Sequence, residues 1–412
     1  MRLILMRCCG LDVHKKNVTA AVRIVTEEGE LVEQVRTFST MTSGLLALMD
    51  WLLSLGVTHV AMEATGVYWK PVWNLFEGNF ELLLVNPAHF RGVPGRKTDV
   101  TDAAWLAELL AHGLLKASFV PERGQRELRE LTRYRTSLVR DRAREVNRLQ
   151  KTLEGANIKL GDVASDIMGL SARQMLSALV AGQTDPQQLS LMAKGRMKEK
   201  IPQLEQALVG SFGEHQRFMV ALQLSHVEEL ETLIAQLDAQ VAERLRPFDE
   251  VIARMDEIPG VGRRTAEVIL AEIGLDMGRF PTDKHLSSWS GMCPGNHESA
   301  GKRKSGKTRK GSPWLRSALV EAAHAAARKK GSYLSSLSHR LAARRGKKKA
   351  TVAVGHSLLV IIYHLLQEGT HYQDLGASYY DERDREAATR RAVRRLERLG
   401  YQVTLEPLPV AA

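Results

Sequence analysis

The sequence has 412 residues, of which 44% are hydrophobic and 25% charged, and this size and composition predict a soluble protein of two or three domains. Its three cysteines, Cys8, Cys9 and Cys293, match neither a disulfide framework nor the spacing of a zinc site. The apolar runs are too short for a transmembrane helix or a secretory signal, so we expect a cytoplasmic protein without a membrane partner.

The positive charge is concentrated in one segment. The net charge is +11, and sixteen Lys and Arg residues but a single acid fall between Ala300 and Lys349. The remainder has 42 basic and 46 acidic residues and is slightly acidic. So local an excess is typical of a surface that binds a polyanion, because neutralised phosphates release counterions.

Residues 1–120 alternate strand and helix patterns and predict an α/β domain. Three strands come first, and the second and third flank a turn at Glu28-Gly29. The later predicted elements are helix Ser43–Leu55, strand Val57–Gly66, helix Trp69–Phe76, strand Phe80–Asn86 and a helix that begins near Asp99.

Residues 121–250 predict long helices and a coiled coil. The segment Arg126–Glu154 contains neither Pro nor Gly, and apolar residues from Val227 to Val241 recur every three or four positions, as in a heptad repeat. Two such helices can pair as an antiparallel coiled coil within one chain or with a second subunit. A homo-oligomer, either a dimer or a tetramer, is expected.

Residues 251–370 predict a mainly α domain, and residues 371–412 a polar, partly disordered tail. The segment Met255–Gly274 contains the Ile-Pro-Gly-Val-Gly core of a helix-hairpin-helix, whose tight turn lets backbone N–H groups approach a phosphate. A plain helix–loop–helix is the alternative. Further helices are predicted over Trp314–Lys330 and Thr351–Leu366, each preceded by a basic run.

Four acids stand at element ends in the first domain. Asp12 and Glu63 end the first and fourth strands, and Asp99 and Asp102 lie three apart at a helix start. Asp99 and Asp102 suit a helix N-terminus as capping residues. The same i, i+3 spacing also directs both carboxylates to one side of the helix, where they can bind a metal. Because carboxylates inside apolar strands are costly without a partner, the four together favour one or two hard cations, Mg²⁺ or Mn²⁺.

These motifs resemble the ribonuclease-H-like domain of the RuvC Holliday-junction resolvase. More closely, the chain resembles the DEDD-type insertion-sequence transposases related to the pilin-gene invertase, which combine a RuvC-like domain, a coiled coil and a C-terminal transposase domain. The stretches that carry this resemblance are GLDVHK, MEATGVYW, NPAHFRGVPGRKTDVTDA, IPGVGRRTAEVILAEIG and CPGNHESAGKRKSGKTRKGSPWLR.

The resemblance implies catalytic roles for named residues. It implies that Asp12, Glu63, Asp99 and Asp102 bind Mg²⁺, and that a serine attacks DNA and becomes linked to it. Ser299 in HESAGK matches that serine best, although Ala300 stands where some relatives have Gly. Ser305 and Ser312 are nearby alternatives. Lys302 and Arg303 could activate the hydroxyl, and His297 could accept its proton.

The resemblance also implies DNA partners, namely the element ends and a target, and a structured guide RNA encoded by the element. A nucleoid-associated protein is therefore expected. The expected nucleic-acid-binding residues are Arg96, Lys97, Gly260, Gly262, Arg263, Arg264, Lys302, Arg303, Lys304, Lys307, Arg309, Lys310, Arg344, Arg345, Lys347, Lys348 and Lys349.

The resemblance thus implies a transposase, a recombinase that cleaves and rejoins DNA strands. Three other functions are alternatives to it. A RuvC-like structure-selective endonuclease would use water as nucleophile and would not need Ser299. A non-catalytic nucleic-acid-binding protein would not need the four acids together. An actin-like sugar kinase also starts with an Asp-bearing strand, but the glycine-rich phosphate loops expected for ATP are not found in the sequence.

Overall fold

A computed structural model of the chain describes residues 3–64, 66–86, 99–295 and 297–406. Residues 99–101, 297, 303 and 304 are described by their backbone alone. The chain divides into two compact units, Met1–Pro121 and Glu122–Ala412.

The first unit alternates strands and helices in the order that the sequence predicts. Most element ends differ from the predicted ones by one or two residues. In chain order the elements are β1 Arg7–Val13, β2 Asn17–Val25, β3 Leu31–Ser39, α1 Thr42–Ser54, β4 His59–Glu63, α2 Trp69–Phe76, β5 Glu81–Val85 and α3 Asp99–Ala111.

The five strands form one mixed sheet with the order β3-β2-β1-β4-β5. Strands β1, β2 and β3 are an antiparallel meander, with a turn at Gly29, whose φ of 86° suits glycine. Strand β4 lies parallel to β1, and β5 lies parallel to β4. The carboxyl ends of β1, β4 and β5 therefore meet at one edge of the sheet.

Helices cover both faces of this sheet. Leu48 of α1 and Phe76 of α2 are fully buried in the cluster on one face, and Leu106 of α3 is buried on the other. Successive β1 residues alternate between the faces, so Leu11 belongs to the first cluster and Cys8 to the second. Each such large side chain contributes about 1.5–3 kcal/mol of burial free energy.

The second unit is mainly helical, as the sequence predicts. Its helices are α4 Arg123–Gly155, α5 Leu160–Val163, α6 Leu170–Val180, α7 Pro186–Ser190, α8 Ile201–Ala207, α9 Glu214–Leu245, α10 Asp249–Asp256, α11 Arg263–Ile273, α12 Asp283–Trp289, α13 Pro313–Ala326, α14 Tyr333–Arg345, α15 Lys347–Glu368, α16 Tyr379–Arg383 and α17 Arg385–Arg398. Its strands are β6 His297–Ser299 and β7 Lys302–Ser305, and three short 3-10 helices lie at Gly195–Lys200, Arg246–Phe248 and Met277–Arg279.

The two longest helices, α4 and α9, pair antiparallel within the chain. Ion pairs join Arg142 to Glu231 at 2.6 Å and Arg244 to Glu127 at 2.8 Å, so the sequence numbers rise on one helix as they fall on the other. The predicted heptad residues are largely buried in this pairing, as at Val227, which is fully buried. Because one chain covers this apolar stripe, the stripe gives no reason to expect a second subunit.

The segment between α4 and α9 forms its own core at the tip of the pair. Short helices α5 to α8 enclose buried residues such as Leu160, Met175 and Leu204, together with Leu149 of α4 and Val220 of α9. The sequence indicates only irregular helices here, interrupted by glycines.

The C-terminal core is built around α15. Val354, Leu358 and Ile362 of this helix are fully buried among helices α10 to α14. By length and composition α15 is apolar enough to cross a membrane, contrary to the expectation that no apolar run is that long, but its position is that of a core helix. The tail expected to be partly disordered contains the helices α16 and α17.

Candidate functional site

The adjacent parallel strands β1 and β4 bring two predicted acids to the same edge of the first sheet. The register pairs Leu11 with Met62, and Asp12 and Glu63 are the next residues of the two strands. The two acids also face the same side, because they alternate with Leu11 and Met62, which belong to the opposite cluster. Their shared face is the one covered by α3.

Helix α3 lies directly on β1 because residue 10 is glycine. A Cβ at Gly10 would collide with the carbonyl oxygen of Ala103 and lie 2.6 Å from the backbone nitrogen of Ala107. The helix runs antiparallel to the strand, since Ile4 N–H donates to the Ala111 carbonyl at 2.9 Å while Gly10 contacts Ala103. The first turn of α3 is therefore directed toward the carboxyl end of β1.

The third and fourth predicted acids lie in that first turn. Helix α3 begins at Asp99, whose side chain is outside the described residues, and Asp102 is half-buried. Asp12 is 13% exposed, and its Oδ2 lies 3.1 Å from His14 Nε2. Among the side chains that are described, no three His, Cys, Asp or Glu groups lie close enough together to hold a metal. Arg96 and Lys97 lie outside the described residues.

Ser299 lies at a hairpin that the sequence does not predict. Ser299 of β6 pairs with Lys302 of β7, and Ala300 and Gly301 form the two-residue turn between them. Their φ angles are 50° and 73°, the left-handed values of a type I′ turn. Ser299 is exposed. The side chain of His297, its expected base, is outside the described residues.

The two alternative serines have local structural roles. Ser312 caps α13 by accepting from Leu315 N–H at 3.3 Å, and its hydroxyl donates to Glu272 at 2.9 Å. Ser305 accepts from Lys307 N–H at 3.1 Å within the loop after β7. These bonds match the ordinary roles of loop serines.

The segments on the two sides of this hairpin, residues 290–295 before it and residues 307–311 after it, approach each other closely and form a neck at its base. A Cβ at Gly291 would lie 2.6 Å from the Arg309 carbonyl, and one at Gly295 2.7 Å from the Lys307 carbonyl. A Cβ at Gly311 would collide with the backbone of residues 290 and 291. Arg316 crosses the neck, since one guanidinium nitrogen donates to the Gly291 carbonyl and to the Thr308 hydroxyl. The sequence shows these glycines but not their contacts.

Most of the expected nucleic-acid-binding lysines and arginines lie on the β6–β7 hairpin with its following loop, on α14 and on α15. On the hairpin and the loop that follows it, the described side chains are exposed, while those of Arg303 and Lys304 lie outside the description. Arg344 and Arg345 occupy the last turn of α14, and Lys347–Lys349 begin α15. Three lysines at a helix start oppose the positive end of its dipole, which a bound anion would relieve. The exposed members of the first group are Lys302, Lys307, Arg309 and Lys310.

The segment Met255–Gly274, expected to be a helix-hairpin-helix, contains the last two residues of α10, a short turn and the whole of α11. Gly260 has a φ of 88° and packs on α13, where a Cβ would lie 2.6 Å from Ala326 N. Gly262 is exposed at the start of α11. The expected phosphate-binding residue Arg263 forms an ion pair with Asp249 at 2.6 Å, and Arg264 forms one with Asp238.

Buried ion pairs that the sequence analysis misses join α4 to α11. Arg135 and Glu267 are only 4% and 5% exposed and lie 2.6 Å apart. Arg133 binds the buried Glu272 through two nitrogens, at 2.7 and 2.9 Å. Arg129 donates to the Ala271 carbonyl at 2.9 Å, and burial lowers the pKa of its guanidinium to about 10. The sequence signal for these pairs is the repeated arginines of α4. Their partner acids lie some 130 residues away in sequence, so the pairing is not visible there.

Comparison with known proteins identifies two domains. Residues 9–158 match a DEDD-type transposase model for IS110, and residues 252–339 match the transposase model of the IS116/IS110/IS902 family. The chain is 27% identical over 328 residues to "Putative transposase y4pF/y4sB" of Sinorhizobium fredii, covering 77% of this chain and 74% of that protein. It is 26% identical over 307 residues to "Insertion element IS110 uncharacterized 43.6 kDa protein" of Streptomyces coelicolor, covering 68% and 73%. With both domains present in this order, the chain belongs to the IS110 family of transposases.

Proposed function

We propose that this transposase cleaves and rejoins DNA strands through a covalent serine ester, with divalent metal ions held by four acids. The observation that carries the proposal is the convergence of Asp12, Glu63 and the first turn of α3 at one edge of the sheet. The two antiparallel pairings, β1–β2 and β2–β3, and the two parallel pairings, β1–β4 and β4–β5, support a ribonuclease-H-like fold of the RuvC type.

The residues present suit a hard cation. Asp12, Glu63, Asp99 and Asp102 supply carboxylate oxygens, which Mg²⁺ and Mn²⁺ prefer. Asp12 and Glu63 sit at the end of buried strands, where ionised groups need a partner. A bound cation would neutralise negative charge at the DNA phosphate that reacts.

The covalent step involves Ser299. Its hydroxyl oxygen forms a bond to phosphorus as the bond from phosphorus to a bridging DNA oxygen breaks. The hydroxyl proton passes to a base, for which His297 is the candidate, and the departing DNA oxygen takes up a proton. Lys302, the cross-strand partner of Ser299, brings a positive charge that favours the serine alkoxide. Rejoining reverses the step with another DNA hydroxyl and needs no ATP, because the phosphoserine ester conserves the bond.

The partners follow from the family and the charge. DNA is the proposed substrate, as element ends and as target, and a structured guide RNA encoded by the element is proposed to select them, as the resemblance to the family implies. The basic residues of the hairpin, α14 and α15 bind phosphates, and the turn before α11 binds a further phosphate in the manner of a helix-hairpin-helix. Helices α4 and α9 are proposed to wind as a coiled coil within one chain, so the proposed homo-oligomer must form through another surface.

The test traps the serine ester. The chain is incubated with Mg²⁺ and a nicked DNA substrate whose cut end cannot be rejoined, and the modified peptide is mapped by mass spectrometry. The adduct is expected on Ser299 and should be lost in Ser299→Ala and Asp12→Asn, whereas Ser225→Ala, at an exposed serine of α9, should retain it. Efficient cleavage without any adduct would replace this proposal with the hydrolytic, RuvC-like endonuclease.

A further inference from the structure

Helix α17 presents an arginine face that nothing in the described chain covers. None of its residues is buried, and all six of its arginines are exposed. At about 100° per residue, five of the six fall within an arc of about 140° on one side of the helix. Those five are Arg390, Arg391, Arg394, Arg395 and Arg398.

Contacts within the chain fix the start of this helix, but none of its residues is buried against another element. Before it, Asp374 accepts from Tyr333 N–H at 2.9 Å and Ser336 donates to the Ala377 carbonyl at 3.0 Å, so the tail is tied to α14. Asp384 then caps α17 by accepting from Ala387 N–H. An isolated helix of 14 residues is marginal in water, so α17 needs a partner to stabilise it.

The arginines are almost unpaired by acids of their own chain. Within the described residues, the one ion pair of the five is Arg390 with Glu386, at 3.7 Å. Between Thr389 and Arg398 there are five arginines and one acid, Glu397. The positive charge lies toward the helix C-terminus, where it is compatible with the helix dipole. The face therefore suits a partner with closely spaced negative charges.

We infer that α17 is a DNA-anchoring helix that lies along duplex DNA and binds its phosphates through the arginine face. Guanidinium groups bind phosphates through two parallel hydrogen bonds. The major groove of B-DNA admits an α-helix, whereas the deep, narrow major groove of duplex RNA does not. The opposite face mixes aliphatic residues such as Val393 and Leu396 with the polar Thr389 and Arg385 and has no aromatic ring, which argues against a membrane anchor.

This inference deepens the proposed function by naming a second contact with the DNA. Helix α17 lies outside residues 9–158 and 252–339, the parts of the chain that match the family models. It is also separate in sequence from the basic hairpin and from α15.

The test compares two full-length variants that each lose four positive charges. In one, Arg390, Arg391, Arg394 and Arg395 become Gln. In the matched control, four exposed basic residues of α4 and the helical tip become Gln: Lys151, Lys194, Arg196 and Lys198. Affinity for a random-sequence DNA duplex is measured by fluorescence anisotropy at several salt concentrations. Each phosphate contact adds about 0.9 to the slope of log affinity against log salt.

Between about 50 and 200 mM salt, wild type and control should lose about 100-fold more affinity than the α17 variant. Amides of residues 385–398 should exchange more slowly with solvent when duplex DNA is added to wild type. Equal slopes for the α17 variant and the control would overturn the inference. So would protection by duplex RNA alone, or by phosphatidylserine vesicles alone.

The outcome is independent of the chemistry at Ser299. Asp12→Asn and Ser299→Ala should keep the wild-type salt slope, so a failed adduct experiment with an intact slope removes the proposed reaction and leaves the α17 anchor. If the adduct forms but the α17 variant keeps the wild-type salt slope, the proposed reaction stands and the α17 anchor is removed.

Discussion

Arg316 donates a 2.8 Å hydrogen bond to the hydroxyl of Thr308, eight residues earlier, and the same nitrogen donates to the Gly291 carbonyl at 3.1 Å. One side chain of α13 thus ties both sides of the neck beneath the hairpin of Ser299. Three glycines let the two sides approach closely, and Arg316 supplies charged hydrogen bonds between them. The hairpin is therefore held at its base although its tip is exposed.

We expect Arg316→Ala to loosen the hairpin without unfolding the second unit. Amide exchange over residues 294–310 should accelerate, because the neck loses both bonds and the Gly291 carbonyl loses its donor. Thr308→Val, which removes only one of the bonds, should give a smaller effect. Hydrogen exchange measured by mass spectrometry checks both. Unchanged exchange in Arg316→Ala would show that the glycine contacts alone hold the neck.

Ala300 is strained in the hairpin turn. Its φ of 50° lies in the left-handed region, which costs an L residue about 1–2 kcal/mol and costs glycine almost nothing. Ala300→Gly should relieve that strain but add unfolded-state entropy, for a net stabilisation of up to about 1 kcal/mol. Gly301→Ala, at a φ of 73°, should destabilise by a similar amount.

Urea denaturation of both variants and wild type measures these changes. A loss of stability in Ala300→Gly would show that the turn does not hold its left-handed conformation in solution.

The buried pair of Arg135 and Glu267 should be sensitive to the loss of one partner. Glu267→Gln removes the closer of the two acids that pair with Arg135 and leaves Asp238, 3.0 Å away and 30% exposed, as its remaining partner, so it should cost about 1–3 kcal/mol of unfolding free energy. Replacing both residues, as Arg135→Met with Glu267→Leu, should cost less than either single change. A thermodynamic cycle from urea denaturation checks the coupling. Additive single effects would mean that the two side chains act independently.

The ion pairs of Glu231 should make the free energy of unfolding depend on pH. The hydrogen bond from Arg173 is the main reason that the pKa of its carboxyl lies below the ordinary value of 4.5, and Arg142 adds to the effect. Because the pKa is lower in the folded state, the unfolded state binds more protons as acid is added. The stabilisation is therefore complete above about pH 4.5 and is lost as the pH falls through the folded-state pKa.

Glu231→Gln is the matched variant, because it keeps the shape and removes the charge. The difference in unfolding free energy between wild type and this variant should shrink as the pH is lowered from 7 to 3. A difference that stays constant with pH would show that the carboxylate charge plays no part.

The periodic parts of the fold are predictable from sequence. Short apolar runs identify β1 and β4, and the acids at the strand ends then identify a candidate site once the strands are known to be neighbours. The α4–α9 pair is likewise visible in its heptad pattern. What the heptad cannot reveal is whether the stripe is covered by the same chain, because that depends on the fold of the 58 residues between these helices.

The parts that sequence could not give depend on distant contacts. The hairpin β6–β7 has no apolar alternation, and its position is set by glycines that meet backbone across the neck. The arginines of α4 look like any solvated helix face until Glu267 and Glu272 are known to pack against them. Gly10 is similar, since only the structure shows that α3 rests on it.

Gly10 gives the sharpest test of the acid site, because it separates the placement of the acids from their identity. Gly10→Ala should push α3 away from β1, since its Cβ would collide with Ala103 and Ala107. Overpacking of this kind costs about 1–3 kcal/mol. DNA cleavage should fall with all four acids intact, whereas Glu63→Gln should abolish cleavage with little loss of stability. Gly124→Ala, in helix α4 with nothing within 4 Å, is the control and should keep wild-type cleavage without any loss of stability. Cleavage and stability are measured on the same preparations with Mg²⁺ present. If Gly10→Ala folds with lower stability yet cleaves DNA as wild type does, the first turn of α3 is not part of the site, and Asp99 and Asp102 return to the ordinary role of acids at a helix start.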